Sequence, residues 1–448
     1  MLLLAPAFRF AGPDAIYSVS VALNLAFAAG AWLLFSRLAA RRLGPARAAL
    51  ASLLFGLCPV LWLWTASGME TPLVLLLQIA LWMAVDGVVR GERVSPVLLA
   101  AVVALSVLAR ADGFVLPALA VAYLAAAGRG REGLAAGAAL GACLAGLVLW
   151  RLAYYGHPLP NTYYVKVSGP PGERLLEGGL QLLSIVLHGG LLPHLSALLL
   201  AAAASLARPA EGGRPRLPVE AVLGVGWLAC WLYVGGDVFA ERMLLLLFPI
   251  GLRLLLDPSL FRLSSRSLAV VAAGTAAFQA LPLAIDTRFG YTLDRYDRWV
   301  TLGRYLAQPR YAGRLLAADA AGKVPFCSGL RTVDMLGLND EHIAHRPAQF
   351  FEAGHNKYDP DYVLVRQPDL IADWIDPRLD LRFGLPREKY SAAGYRLDAL
   401  VFTRKHPPDG RALIEVGEAA SAGELEVLIR RGYRYALLSR RVDGTRAP

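Results

Sequence analysis

A polar, aromatic segment, Tyr155 to Lys166, lies between two long apolar stretches of the chain. Lys166 is the first lysine of the sequence, and a lysine beside a run of tyrosines suits a lipid phosphate at the membrane surface. Asn161 and Thr162 can cap a helix or bind sugar hydroxyls, and Tyr163 belongs to the same aromatic run. We therefore predict a binding loop here, although tyrosines alone are expected at any membrane interface.

Two further segments combine an acidic or basic side chain with a helix end. Ser67 to Pro72 carries Glu70, which is either a favourable charge at a helix N-terminus or a cavity contact. Arg110 precedes Asp112 by two residues, so the two either form a local ion pair in a turn or leave Arg110 free to hold a phosphate.

A fourth segment, Gly235 to Arg242, precedes another apolar run. Asp237 and Arg242 form either an ordinary salt bridge or part of a binding site. Two glycines before Asp237 suggest the close approach of a ligand, and we favour the binding site.

The C-terminal part contains Asp334, Asp340, His342 and His355, whose side chains suit acid–base chemistry or sugar binding. Capping and turn formation explain the same residues equally well, and Asn339 followed by Asp340 is an acceptable helix start.

The composition of the chain indicates the kind of structure that positions these side chains. The 448-residue chain is 56% hydrophobic and 18% charged, which indicates an α-helical polytopic membrane protein with a polar appendage. Apolar runs predict about ten spans, near residues 15–36, 46–64, 71–88, 95–109, 113–127, 133–152, 189–207, 217–235, 243–256 and 267–285. The runs at 95–109 and 243–256 are short and are alternatively tilted or re-entrant pieces.

Clusters of arginine occur in every second loop between the predicted spans. By the positive-inside rule, those loops are expected to lie in the cytoplasm. The polar segments described above then lie outside, as does the tail from residue 286. Residues 1–14 would also lie outside, so we expect a further N-terminal span to precede this chain. The positive-inside pattern accounts for much of the net charge of +10, and nothing indicates nucleic-acid binding or metal-ligand spacing.

The sequence therefore predicts two domains, a transmembrane domain over 1–285 and an extracytoplasmic α+β domain over 286–448. In the second, we predict helices near 294–307 and 421–431. Strands are predicted at 324–326, 332–334 and 362–365.

In these segments the chain resembles the GT-C superfamily of polyprenyl-phosphate-sugar-dependent glycosyltransferases, and within it the terminal arabinofuranosyltransferases of mycobacterial cell walls. Four segments of the transmembrane region and one of the tail carry the resemblance: 67–72, 110–113, 159–166, 235–242 and 333–340. The resemblance runs in order through most of the chain, and the Pro-Asn-Thr-Tyr loop is its most specific part.

The resemblance implies sugar transfer from a lipid-linked phosphate donor to a glycan or glycolipid acceptor at the outer face of a bacterial inner membrane. It implies no other cofactor. Lys166, Arg242 and Arg110 would contact the donor phosphate. The cavity would be lined by Glu70, Asp112, Asn161, Thr162, Tyr163, Asp237, Asp334 and Asp340, and the tail would position the acceptor.

The family's catalytic acidic residues lie in a first outer loop, upstream of the first residue here, so no catalytic residue is assigned. Asp14 lacks the acidic-pair context. The alternative interpretation is a non-catalytic protein, either a transporter or a scaffold for cell-envelope assembly. A transporter is expected to have polar or broken helices near the bilayer midplane, whereas the polar residues here collect at one membrane surface; His188 and His194 are weak candidates for a relay.

Overall fold

The chain folds into two compact units. The computed structural model describes residues 5–6, 9, 15–207, 217–286, 288–291, 297–349, 355–404, 406–407, 410–417 and 420–440. The first unit comprises Met1–Pro158 and Pro171–Thr292, and the second comprises Leu159–Pro170 and Leu293–Pro448. The contacts thus divide the chain after Thr292 rather than after 285, and the loop containing Lys166 belongs to the second unit.

The described part of the first unit consists of helices. In chain order these are α1 Ile16–Arg42, α2 Pro45–Gly56, α3 Pro59–Ala66, α4 Thr71–Val89, α5 Pro96–Ala109, α6 Val115–Ala126, α7 Gly130–Tyr155, α9 Pro171–His188, α10 Leu192–Leu206, α11 Val219–Val234, the 3₁₀ helix Ala240–Leu246, α12 Leu247–Leu255, α13 Ser265–Ile285 and α14 Arg288–Tyr291.

Four of these helices, α1, α4, α7 and α13, are long and apolar enough to cross a membrane. Two bent pairs raise the number to six if each pair is one span: α2 with α3, bent by 44°, and α9 with α10, bent by 115°. The described residues therefore indicate a membrane protein with four to six candidate spans, and they do not support the ten spans predicted from sequence.

Helix length explains the difference. The predicted spans at 95–109, 113–127 and 217–235 form helices of 14, 12 and 16 residues, which at 1.5 Å per residue reach roughly 18–24 Å, less than the ~30 Å of a hydrocarbon core. The predicted span at 243–256 is divided between the 3₁₀ helix and the nine-residue α12. Most of α12 is fully buried, so it is a core helix of this unit.

The two ends of α4 carry separate groups of charges. Glu70 precedes α4, and Asp86 lies in its last turn, where it accepts hydrogen bonds from Arg42 and lies 3.7 Å from Arg90. Sixteen residues of helix separate Glu70 from Asp86, a distance of roughly 24 Å at 1.5 Å per residue. Charged residues at both ends with apolar residues between them suit a helix that crosses a bilayer.

The second unit is α+β and is built on a six-stranded sheet. Its strands are β1 Leu315–Ala318, β2 Arg331–Asp334, β3 Leu370–Trp374, β4 Tyr395–Val401, β5 Leu413–Glu415 and β6 Tyr435–Arg440. Its helices are α8 Asn161–Lys166, α15 Arg298–Leu306, the 3₁₀ helix Pro309–Tyr311, α16 Lys323–Ser328, α17 Glu341–Ala344, α18 Pro360–Val365, α19 Arg387–Ala392 and α20 Ala422–Arg431.

The strand order is β2-β1-β3-β6-β4-β5, with β2, β1 and β3 parallel and the remaining neighbours antiparallel. Alternate residues of the strands pack on opposite faces: Ile371 belongs to one core cluster, whereas Leu370 and Ala372 belong to another. Both faces of the sheet are therefore covered, as expected where parallel strands are joined by helices.

Two predicted strands of this unit are wrong. Residues 324–326 lie in α16, which ends at Gly329 with φ 72°. Residues 362–365 lie in α18, where Pro360 occupies the first turn and the Asp359 side chain accepts from Tyr362 N. Proline and cap signals outweighed the β-propensity of the valines. The strand at 332–334 and the helix at 421–431 are confirmed by β2 and α20.

Two buried carboxyl groups lie on neighbouring parallel strands of this sheet. Asp319 follows β1, and its carboxylate accepts a hydrogen bond from Tyr435 Oη. Burial, opposed by this bond, raises the pKa of Asp319 to about 6. Burial, together with the charge of Asp319, raises the pKa of Asp373 in β3 well above its usual range. The sheet therefore stabilises the protonated forms of both groups.

This arrangement predicts that the sheet loses stability as the pH rises. A carboxyl whose folded pKa is raised stabilises the fold below its unfolded pKa, near 4, and loses that contribution as pH rises through the folded pKa. From Asp319 we expect a loss of roughly 2–3 kcal/mol between pH 4 and 6.5, at about 1.4 kcal/mol per pKa unit. Hydrogen exchange of the backbone amides of β1 and β3, corrected for the pH dependence of the intrinsic exchange rates, measures this loss of stability. Asp373→Asn is expected to reduce the pH dependence, and a pH-independent protection would contradict it.

Candidate functional site

Three of the four polar segments meet within the first unit. Arg110 donates from Nη1 to Glu70 Oε1 at 2.9 Å and forms two bonds with Asp112, at 2.8 and 3.0 Å. Arg242 donates from Nε and Nη2 to Asp237 Oδ2 at 3.1 and 2.7 Å. Arg242 Nη1 also lies 3.9 Å from Glu70 Oε1. These five side chains, here called the ion cluster, contain three carboxylates and two guanidinium groups.

Burial differs across the ion cluster. Asp237 and Arg242 are 2% and 7% exposed, whereas the Glu70 side chain is 38% exposed and is paired with both arginines. Burial alone would lower the pKa of Arg110, but the charges of Asp112 and Glu70 outweigh it and raise that pKa. The guanidinium group of Arg110 is therefore a fixed cation, and Glu70 is the most accessible carboxylate of the cluster.

The turn before α4 positions Glu70. Gly68 has φ 72°, a conformation in which glycine avoids strain. Asn24, buried in α1, donates to Thr65 O and Met69 O at 3.2 and 2.8 Å, which holds the turn against α1. Glu70 occupies the N-cap position but makes no side-chain cap bond to α4. Its carboxylate is thus free to pair with the arginines.

Two glycines position Asp237. Gly235 and Gly236 have φ of 90° and 92°, and a Cβ on Gly236 would lie 2.2 Å from Gln181 Oε1 of α9. The same Gln181 oxygen accepts a hydrogen bond from Asp237 N at 3.2 Å. The close approach that the paired glycines suggested is therefore an approach to α9.

Small cavities lie beside the ion cluster. One is lined by Thr71, Val74, Gln78, Arg110, Trp227 and Arg242 among others. A second is lined by Gln78, Ser106, Asp112 and Trp227 among others. Gln78, a buried polar residue in the middle of α4, lines both. These cavities extend from the charged groups into the apolar helices.

A second ion-pair group, which the sequence analysis did not assign, lies next to the first. Glu241 is 2% exposed. Its Oε1 accepts from Trp64 Nε1 at 3.1 Å and its Oε2 accepts from Arg288 Nη2 at 2.9 Å. Arg288 also pairs with Asp286. The signal available in the sequence was that Glu241, an acidic residue, directly precedes Arg242. Its partner Arg288, however, lies 47 residues further along the chain.

The fourth polar segment folds with the second unit. Asn161 and Lys166 begin and end α8, whereas Thr162 and Tyr163 are exposed on it. The ring of Tyr164 packs 4.3 Å from that of His345. Ser168 Oγ donates to Val165 O and accepts from Asn356 Nδ2 at 3.0 Å. Contacts within the second unit therefore fix this loop.

The acidic residues of the tail act as caps. Asp334 Oδ1 accepts from Leu336 N at 2.9 Å, and its Oδ2 accepts from Asn339 N at 2.7 Å. Asp340 caps α17 through Ile343 N and also accepts from Tyr362 Oη at 3.0 Å. Burial raises the pKa of Asp334 against these bonds. Both side chains thus have structural partners, and their predicted sugar contacts remain predictions.

The histidines of the tail differ in their surroundings. His342 Nε2 lies 3.0 Å from Asp359 Oδ2, and its ring stacks on Tyr362 at 4.1 Å. Among the described residues, His355 Nδ1 has no hydrogen-bond partner. His342 is therefore held at the surface by a carboxylate and an aromatic ring of the same unit.

A family model described as a domain of unknown function (DUF8728) matches residues 290–415. The match covers less than a third of the chain. It includes β1 to β5 and ends before α20 and β6. No curated protein and no solved structure matches this chain. The matching family carries no assigned activity, so function must be argued from the site.

Proposed function

We propose that this protein is a membrane glycosyltransferase of the GT-C type. It would transfer a sugar from a polyprenyl-phosphate donor to a cell-envelope glycan or glycolipid at the outer face of a bacterial inner membrane. One observation carries the proposal: three segments far apart in sequence bring Glu70, Arg110, Asp112, Asp237 and Arg242 together. Further support comes from apolar helices long enough to span a membrane.

The charges of the ion cluster suggest how it would accept a phosphate. Arg110 and Arg242 are already paired, each with one carboxylate held by two hydrogen bonds. Glu70 is shared between them and is the most exposed of the three carboxylates. A phosphate that displaced Glu70 would meet two guanidinium groups, whose forked donors suit its oxygens. The donor phosphate is therefore proposed to take the position of the Glu70 carboxylate.

The alternative is a non-catalytic transporter or envelope-assembly scaffold. The mutual pairing of the arginines and carboxylates is the observation that favours it, because a paired cluster also serves a purely structural role. A purely structural cluster would not bind polyprenyl phosphate. Binding of that lipid therefore separates the two candidates without requiring turnover.

The test is thermal unfolding of the purified protein in micelles with polyprenyl phosphate or the uncharged polyprenol. Polyprenyl phosphate at 100 times its Kd should stabilise the fold by about 2.7 kcal/mol, and polyprenol by much less. Glu70→Gln should strengthen the phosphate-specific part, since it removes the carboxylate that competes with the phosphate. Equal stabilisation by the two lipids, or none, would favour the non-catalytic alternative.

A further inference from the structure

The helix α9 has an exposed apolar face. Five leucines lie within one side of it, and each is about half exposed: Leu175, Leu176, Leu180, Leu183 and Leu187 at 52%, 65%, 55%, 54% and 47%. Leu176, Leu180, Leu183 and Leu187 are spaced by three or four residues, which keeps them on a single stripe of a 3.6-residue helix, and Leu175 flanks this stripe. A contiguous stripe of this kind marks an interaction surface.

The other face of α9 is mixed and packs against the protein, with Ile185 in the hydrophobic core. Arg174 is 7% exposed; it donates to Tyr233 O at 3.1 Å and lies over the Tyr233 ring at 4.8 Å. Gly178 O accepts from Trp231 Nε1 at 3.3 Å. Gln181 Oε1 accepts from Asp237 N. α9 thus exposes five leucines while it buries Arg174, whereas a surface helix in water turns its apolar residues inward.

The surroundings of α9 indicate what covers the leucines. A bend of 115° separates α9 from the apolar helix α10. At that bend, a Cβ on Gly190 would lie 2.9 Å from Phe278 O, so the end of α9 abuts the candidate span α13. After the first turn of α13 its exposed side chains are apolar, including Val270 and Leu283 at 71% and 57%. The end of α9 thus lies beside a candidate membrane-spanning helix whose exposed side chains are apolar.

We propose that α9 lies in the plane of the membrane interface, with its leucine stripe in lipid and its buried face bracing the Gly235–Asp237 turn. The partner is the lipid bilayer itself. A helix that is bent by 115° from the apolar helix after it and that carries leucines on one face suits this position. This inference does not rest on glycosyl transfer, since a transporter or scaffold could carry the same helix.

The proposal assigns α9 a positioning role as well as a lipid contact. Gln181 accepts from the backbone of Asp237, and the absence of a Cβ on Gly236 allows that approach. The depth of α9 in the interface would therefore set the depth of the Asp237–Arg242 pair. The ion cluster would sit at the level of lipid phosphates.

The test uses the full chain with its four cysteines replaced, reconstituted in phosphatidylcholine–phosphatidylglycerol vesicles. Single nitroxide labels are introduced at Leu180 and at Leu183. The control label replaces Glu426 on α20, a helix of the second unit that also has an exposed face. Both leucine positions should prefer oxygen over a water-soluble nickel complex, at a depth of about 5–10 Å, whereas position 426 should prefer nickel.

Two results would overturn the proposal. Nickel accessibility at positions 180 and 183 equal to that at 426 would mean that the leucines face water. Concentration-dependent spin–spin broadening at 180 and 183 would mean that a second copy of the chain covers them. Circular dichroism of each labelled protein confirms that the helices are retained, and both sites are exposed, so labels there are not expected to prevent folding.

Discussion

Replacing Arg242 with alanine is expected to destabilise the first unit by about 3–5 kcal/mol, because it leaves a buried carboxylate without its partner. Asp237 is 2% exposed and receives two hydrogen bonds from Arg242. Gly235 and Gly236 hold the turn in a left-handed conformation, which restricts the movement of Asp237 towards solvent. The unpaired carboxylate is therefore expected to lower the free energy of unfolding, because a local rearrangement cannot expose it to water.

The chain contains a matched control. Arg310 and Glu415 form an ion pair at 2.6 Å, close to the 2.7 Å of Arg242 and Asp237, but their side chains are 48% and 59% exposed. Arg310→Ala should cost less than about 1 kcal/mol, as exposed pairs usually do. The measurement is the loss of helical circular dichroism in mixed micelles as the denaturing detergent fraction rises.

A double variant isolates the charge effect. Asp237→Asn combined with Arg242→Ala should recover a large part of the lost stability, since it removes the unpaired charge. Equal costs for Arg242→Ala and Arg310→Ala would contradict the prediction. It would mean that water reaches the ion cluster freely.

Replacing Lys166 with alanine is expected to reduce sugar transfer from a polyprenyl-phosphate donor by about 10²–10³-fold, the usual effect of removing one group that stabilises developing negative charge. The resemblance assigns this lysine to the donor phosphate. Lys166 ends α8 and is only partly buried, so the fold should survive the change. The assay follows the transfer of labelled sugar from the polyprenyl-phosphate donor by the purified protein in micelles.

Lys323→Ala provides the control for this change. Lys323 is 62% exposed and pairs with Asp297 within the second unit, so its loss should leave transfer unchanged. Melting curves of both variants separate a folding defect from a catalytic one. Undiminished turnover in Lys166→Ala would remove the phosphate role assigned to this residue.

Only some contacts of the candidate site can be predicted from residues that are close together in the sequence. The polar segments at 67–72, 110–113 and 235–242 stand out because charges near apolar runs are costly unless they have partners. The Arg110–Asp112 and Asp237–Arg242 pairs were recognisable because their members lie within five residues. The contacts of Glu70 with Arg110 and Arg242 were not recognisable, because these residues lie 40 and about 170 positions from Glu70 in the sequence.

The sequence by itself determined the elements whose signals are local. Apolar runs marked the helices of the first unit, and the helix predicted at 421–431 is α20, which begins with a capping box of Ser421 and Glu424. Tertiary structure decided the rest: which short apolar helices are core rather than span, that the Lys166 loop folds with the second unit, and that Glu241 meets Arg288. Periodicity and caps act within a few residues, whereas burial and ion pairing depend on which helices pack together.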